Sequence, residues 1–138
     1  MEKKFKFLEH TADIKFQAFG KTLGEVFENS VLAVSNILSR GKKIKPVKIQ
    51  RIQIEGGDNE NLLYNLLEQV IYLFDAENFI VSKAKIEFDE TVRNIKVEFY
   101  GDDSKNYSGL DHIKAITYNE MFVKKDKNIY TAQVVVDV

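Results

Sequence analysis

The residues best equipped for chemistry lie in the stretch Glu9-His10-Thr11-Ala12-Asp13, where three ionisable side chains crowd into the link between two strand-like segments. A turn does not require so many: one aspartate is enough to accept hydrogen bonds from backbone amides. On spacing alone, Asp13 reads as that turn aspartate. Asp137 is a second oddity, a carboxylate that follows an apolar alternation one residue before Val138. By itself it reads as an outward-facing strand residue.

Other combinations suggest chemistry and fail on context. Gly20-Lys21-Thr22 sits between a strand and a helix, as the end of a phosphate-binding loop would. That loop needs a glycine where this chain has Lys15, and residues 14 to 19 alternate as a strand instead of looping around a phosphate. Asp102-Asp103-Ser104-Lys105-Asn106 is acidic enough to suggest a calcium loop. The register starting at Asp102 puts Tyr107 at the obligatory glycine and Ile113 at the bidentate glutamate, so a solvated loop is the better reading. No serine stands in a Gly-x-Ser-x-Gly elbow, and two histidines give little material for a nucleophile and base pair. The basic stretches Arg40 to Lys45 and Lys124 to Lys127 lack interleaved aromatics for base stacking and read as solvated turns.

Composition narrows the class further. A chain of 138 residues is the size of one domain with an ordinary core, so a single unit spanning 1–138 is expected. A net charge of −1 supplies no whole-protein field for nucleic acid, and any RNA contact would depend on a local patch. The absence of cysteine excludes disulfides, cysteine-ligated zinc, iron-sulfur clusters and thiol nucleophiles. No stretch reaches the ~20 apolar residues of a membrane span and no signal-peptide core follows Met1, which makes the cytoplasm the expected location and a membrane partner unexpected.

The elements that must position these residues follow from periodicity. Phe5 and Phe7, then Ile14, Phe16 and Ala18, alternate as strands flanking the acidic stretch. Thr22 with Glu25 resembles a capping box, and Leu23 to Leu38 carry apolar residues at helical spacing up to a stop at Gly41. Val47 and Ile49, then Ile52 and Ile54, make a strand whose phase shifts midway, predicting a bulge or two-sided burial. Asp58 or Asn59 caps a second helix with one broad face from Leu62 to Phe74. Two hairpins follow: one turns near Asp89 to Asn94, and the other, after a polar loop from Gly101 to Gly109, turns at Lys124 to Asn128. Antiparallel strands with two amphipathic helices and no βαβ rhythm predict an α+β layered domain.

Taken in order, several segments resemble the archease family over nearly the whole chain. Glu9-His10-Thr11-Ala12-Asp13 is similar to its amino-terminal signature, and Leu23 with Glu25, Val26 and Phe27 to its first helix. Asn61-Leu62-Leu63 is similar to the start of its second helix, Lys114-Ala115-Ile116-Thr117-Tyr118 to its distinctive internal motif, and Asp137-Val138 to its terminus. The chain departs from the pattern at Asn119, where histidine is usual, and at Asp102, where glutamate is usual.

The resemblance implies a non-catalytic accessory protein that activates an RtcB-type tRNA-splicing ligase, promoting guanylylation of the ligase and its multiple turnover in tRNA processing. It also implies a divalent-metal site formed by Asp13, Asp137 and the backbone or terminal oxygens of Val138. Two carboxylates ~4 Å apart repel by roughly 4 kcal/mol at an effective dielectric near 20, which invites a cation or a shared proton. All-oxygen ligation favours a hard ion, calcium first, with magnesium or manganese as alternatives. Glu9, His10 and Lys114 are then expected to face the partner, with GTP belonging to the ligase, no nucleotide bound by this chain, and RNA met only through the ligase. The rival readings are a general folding helper, an RNA-binding module and a small metal-dependent hydrolase.

Overall fold

The computed structural model describes residues 3–10, 12–89, 91 and 93–138. Seven strands form two antiparallel sheets that share two helices. The first sheet has the order β1-β2-β7-β6, from β1 (Phe5–Leu8), β2 (Ile14–Gly20), β7 (Ile129–Asp137) and β6 (Ala115–Asp126). The second has the order β3-β5-β4, from β3 (Lys48–Glu55), β5 (Asn94–Asp103) and β4 (Phe79–Asp89). Helices α1 (Leu23–Ser39) and α2 (Asn59–Glu77) each touch both sheets, giving the α+β architecture expected.

Helix α1 is buried nearly all round, and its ends are chemically fixed. The Thr22 hydroxyl accepts from the Glu25 amide at 3.0 Å, while the Glu25 carboxylate reaches back to the Lys21 amide at 3.1 Å. At the other end Arg40 takes a left-handed conformation, and the Gly41 amide donates to the Asn36 carbonyl. Buried polar groups on this helix find partners. Asn29 donates to the Phe19 carbonyl, Ser30 to the Val26 carbonyl and Ser35 to the Val81 carbonyl of β4. Gly20 owes its place to this packing, because a Cβ there would stand 2.5 Å from the Val26 nitrogen. The glycine of the false phosphate loop is therefore a close-approach residue.

Helix α2 begins at Asp58, whose carboxylate accepts from the Asn61 amide at 2.7 Å, and the Asn61 side chain in turn accepts from the Gly57 amide. Leu62, Leu63, Leu66, Leu67 and Val70 are fully buried along its core face.

Two expectations need correction. Strand β3 pairs with β5 in unbroken register from Lys48↔Gly101 to Glu55↔Asn94, so the shifted apolar phase reflects an exposed edge at Ile49 and not a bulge. The register irregularities lie instead in β4, between Val81 and Lys83, and in β6, between Thr117 and Phe122. Likewise, Asp102 is no solvated loop residue. It is 5% exposed at the end of β5 and accepts from the Tyr107 hydroxyl, the Asp103 amide and the Asn106 side chain. Those donors, Tyr107 first, hold its carboxyl below the usual aspartate range.

Candidate metal and partner site

Strands β2 and β7 are antiparallel with Ile14 opposite Val136 as the last pair, so Asp13, just before β2, and Asp137, the last residue of β7, lie at the same end of these neighbouring strands. This juxtaposition brings together segments separated by more than 120 positions in sequence. Asp137 also lies opposite Ala115 of β6, and its carbonyl accepts from the Lys114 amide at 2.8 Å. The three motif segments thus meet at one end of the first sheet. Asp13 is partly exposed, with Val138 at 38% and Glu9 and Lys114 both exposed. Thr11 lies outside the described residues. Ala12 adopts φ 69°, a left-handed conformation unfavourable for a residue with a Cβ, immediately before Asp13.

His10 is the best-held side chain of the cluster. Its Nε2 lies 3.0 Å from one oxygen of Glu120, and Lys15 donates to the other at 3.2 Å. Donation from His10 first, then Lys15, holds Glu120 below the ordinary glutamate range. An ionised carboxylate can only accept, so the ring proton facing Glu120 sits on Nε2. The other nitrogen, Nδ1, is buried, has no hydrogen-bond partner among the described residues and lies 3.8 Å from Asp13 Oδ2.

Glu120 reaches this position because β6 bulges. Between the pairs Thr117↔Val135 and Phe122↔Gln133, residues 118 to 121 of β6 oppose Val134 alone. The extra residues fold across the sheet's outer face, with Glu120 at φ 56° and its carbonyl accepting from Gln133 Nε2 at 2.9 Å. Gln17 donates to Gln133 in turn. Val135, pointing to this outer face and apart from the main core, is fully buried. The same bulge presents Tyr118, which stacks on Tyr64 with centroids 4.3 Å apart and accepts from Asn61 at 2.7 Å.

Sequence reasoning missed Glu120, Lys15 and the Gln17–Gln133 pair. The available signal was the polar run Tyr118-Asn119-Glu120, which interrupts an otherwise alternating strand.

As a cation site the arrangement is open. Among the described residues no three His, Cys, Asp or Glu side chains stand close enough to enclose a metal. What the fold provides is a carboxylate at each of the adjoining ends of β2 and β7 with nearby backbone oxygens, an all-oxygen set that fits a hard, partly hydrated ion. A shallow groove of about 550 Å³ adjoins it, bordered by Phe7, His10, Asp13, Ile37, Arg40 and Asp111.

The model of the Archease protein family (MTH1598/TM1083) matches residues 5–138. The chain belongs to the archease family. Protein archease of Sulfurisphaera tokodaii is 35% identical over 137 residues, covering 98% of this chain and 99% of that protein. Its Methanosarcina barkeri counterpart is 36% identical over 144 residues, with coverage of 99% and 97%. The solution structure of Methanobacterium thermoautotrophicum protein 1598 superposes with a TM-score of 0.81 at 28% identity, over 98% of this chain and 99% of the other. A Thermotoga maritima crystal structure, described as an archease and possible chaperone, shares the fold at a TM-score of 0.63 and 22% identity, with 96% of each chain covered.

Proposed function

We propose that this archease is a non-catalytic activator of an RtcB-type tRNA-splicing ligase, promoting guanylylation and multiple turnover of that enzyme. The observation that supports the reading is the β2–β7 register, which brings the strand ends carrying Asp13 and Asp137 to one edge of the sheet, next to the Lys114 motif. Asp13, Asp137 and oxygens of Val138 would hold a divalent cation, calcium in the first instance. When bound, that ion would neutralise charge developing on phosphoryl oxygens. His10, clamped by Glu120, fixes the loop that carries Asp13, while exposed Glu9 and Lys114 face the partner.

The folding-helper reading has less to build on. Exposed large apolar side chains among the described residues are Phe7, Val47, Ile49, Tyr72, Tyr118 and Val138, spread over several elements instead of forming the broad face a client chain would need.

The deciding experiment mixes purified ligase, GTP and divalent metal with substoichiometric archease and follows ligase guanylylation. Faster labelling and repeated turnover are expected, with no GTP consumption by the archease alone. Asp13→Ala and Asp137→Ala should each abolish activation and weaken calcium binding at least tenfold by calorimetry, with circular dichroism unchanged. Full activation by Asp13→Ala would defeat the metal-site part. Absence of activation by the native protein, together with suppression of aggregation of unrelated proteins, would defeat the whole reading.

A further inference from the structure

Charge is unevenly distributed along this nearly neutral chain. Between Asn29 and Ile54 there are six basic residues and no acidic ones, so the remainder carries fourteen basic against twenty-one acidic residues. Five of the six, Arg40, Lys42, Lys43, Lys45 and Lys48, fall within nine residues joining α1 to β3, and all five are exposed. Among the described residues none of the five forms an ion pair.

The segment is held firmly by its backbone while its charges point outward. Ile44 is 4% exposed within the core, the Lys42 amide donates to Ser39, and the Val47 amide donates to Gly101 of β5. The Lys45 amide donates to the Tyr107 hydroxyl, which is itself tied to buried Asp102. Lys42 Nζ donates to the Ser108 carbonyl. Cations fixed close together repel one another; Lys48 is drawn to buried Asp102, but the other four have no acidic partner at ion-pair distance among the described residues, a cost that a bound polyanion would remove.

The surface around them is concave. Lys42, Lys43 and Lys83 border a groove of about 370 Å³ that also presents Asn36 and Ser82 over an apolar floor of Phe5, Leu32 and Pro46. On the other side, Arg40 borders the groove that contains His10 and Asp13. A flat membrane does not fit a concave surface. A phosphodiester ridge does, and hydroxyl and amide groups beside lysines suit an RNA strand with its 2′-hydroxyls. The aromatic rings bordering these grooves, Phe5 and Phe7, pack edge-on against each other, so recognition would be of the backbone and largely independent of sequence.

We propose that the Arg40–Lys48 segment and the adjoining Lys83 groove bind an RNA backbone directly, with the bound strand running toward the Asp13 end of the molecule. This departs from the expectation that RNA is met only through the ligase, and it does not require the cation site.

The test uses the full chain alone, without ligase or added metal, and a fluorescein-labelled RNA hairpin of arbitrary sequence in anisotropy titrations from 50 to 200 mM KCl. Dissociation constants of about 10⁻⁵ M are expected at the low end, typical of backbone binding. Lys43→Gln/Lys45→Gln, which spares the Lys42 hydrogen bond, should weaken binding about tenfold at low salt and flatten the log–log salt dependence by about 1.5. Lys43→Arg/Lys45→Arg should restore both, and Lys124→Gln/Lys125→Gln at the far turn should change affinity less than about twofold. The proposal is overturned if the native chain fails to bind, or if the two glutamine pairs weaken binding equally. It is also overturned if DNA of the same sequence, phosphatidylserine vesicles or polyglutamate compete as well as the RNA.

Discussion

The outer face of the first sheet and the α1–β3 segment both concentrate charge on the surface, but in opposite ways. At the sheet, Glu120 is shared by His10 and Lys15, so each charge has a partner and each partner fixes a strand or loop. In the segment, backbone hydrogen bonds, Ile44 and the Lys42 bond to the Ser108 carbonyl supply the order, and among the described residues none of the five charges forms an ion pair. Paired surface charges position a site, whereas unpaired charges on a rigid frame remain available to something that is not part of the protein.

Four variants would break or sharpen that contrast. The largest effect is expected from Asp102→Ala, which removes the acceptor of three hydrogen bonds and, through Tyr107, the anchor of Lys45. Thermal melting should fall by several degrees, and amide exchange should rise across 42–48 while 9–14 stays protected. The native protein also carries a pH signature. Asp102 titrates below its usual value of 3.8, chiefly because Tyr107 donates to it. Its stabilising contribution is therefore complete above that ordinary value and is lost as pH falls through the lower folded value. Asp102→Asn should narrow the melting-temperature gap to native protein as pH is lowered through that window.

Next in size, Glu120→Ala should speed exchange of the 9–14 amides severalfold and weaken calcium binding by less than Asp13→Ala does. Unchanged exchange there would show that the bulge does not hold the loop. The smallest effect belongs to Lys43→Gln/Lys45→Gln, whose stability should stay within about 0.5 kcal/mol of native by urea melts, because neither side chain has a protein partner to lose. A large loss would mean that these lysines are structural, ending the contrast.

The helices were legible because local chemistry specifies them: Thr22 with Glu25, Gly41 beyond the first helix and Asp58 before the second all act within a few residues. Strand alternation was equally readable. The β6 bulge was not, since the polar run 118–120 has the same composition as a short loop, and only its fit over Gln133 and Val135 distinguishes the two. Asp102 escaped for a related reason, as its burial depends on Tyr107 folding back to meet it.

By itself the sequence determined the α+β class, the helix limits, the exclusion of cysteine chemistry and, through its ordered motifs, the family. Periodicity and capping are local properties, and they survive without coordinates. Only the tertiary structure decided that Asp13 and Asp137 come to the same end of neighbouring strands, that Glu120 crosses to His10 and Lys15, and that five exposed cations share one pinned segment. Those outcomes depend on strand register and on one bulge, and register is fixed by the packing of whole faces instead of by any short run of residues.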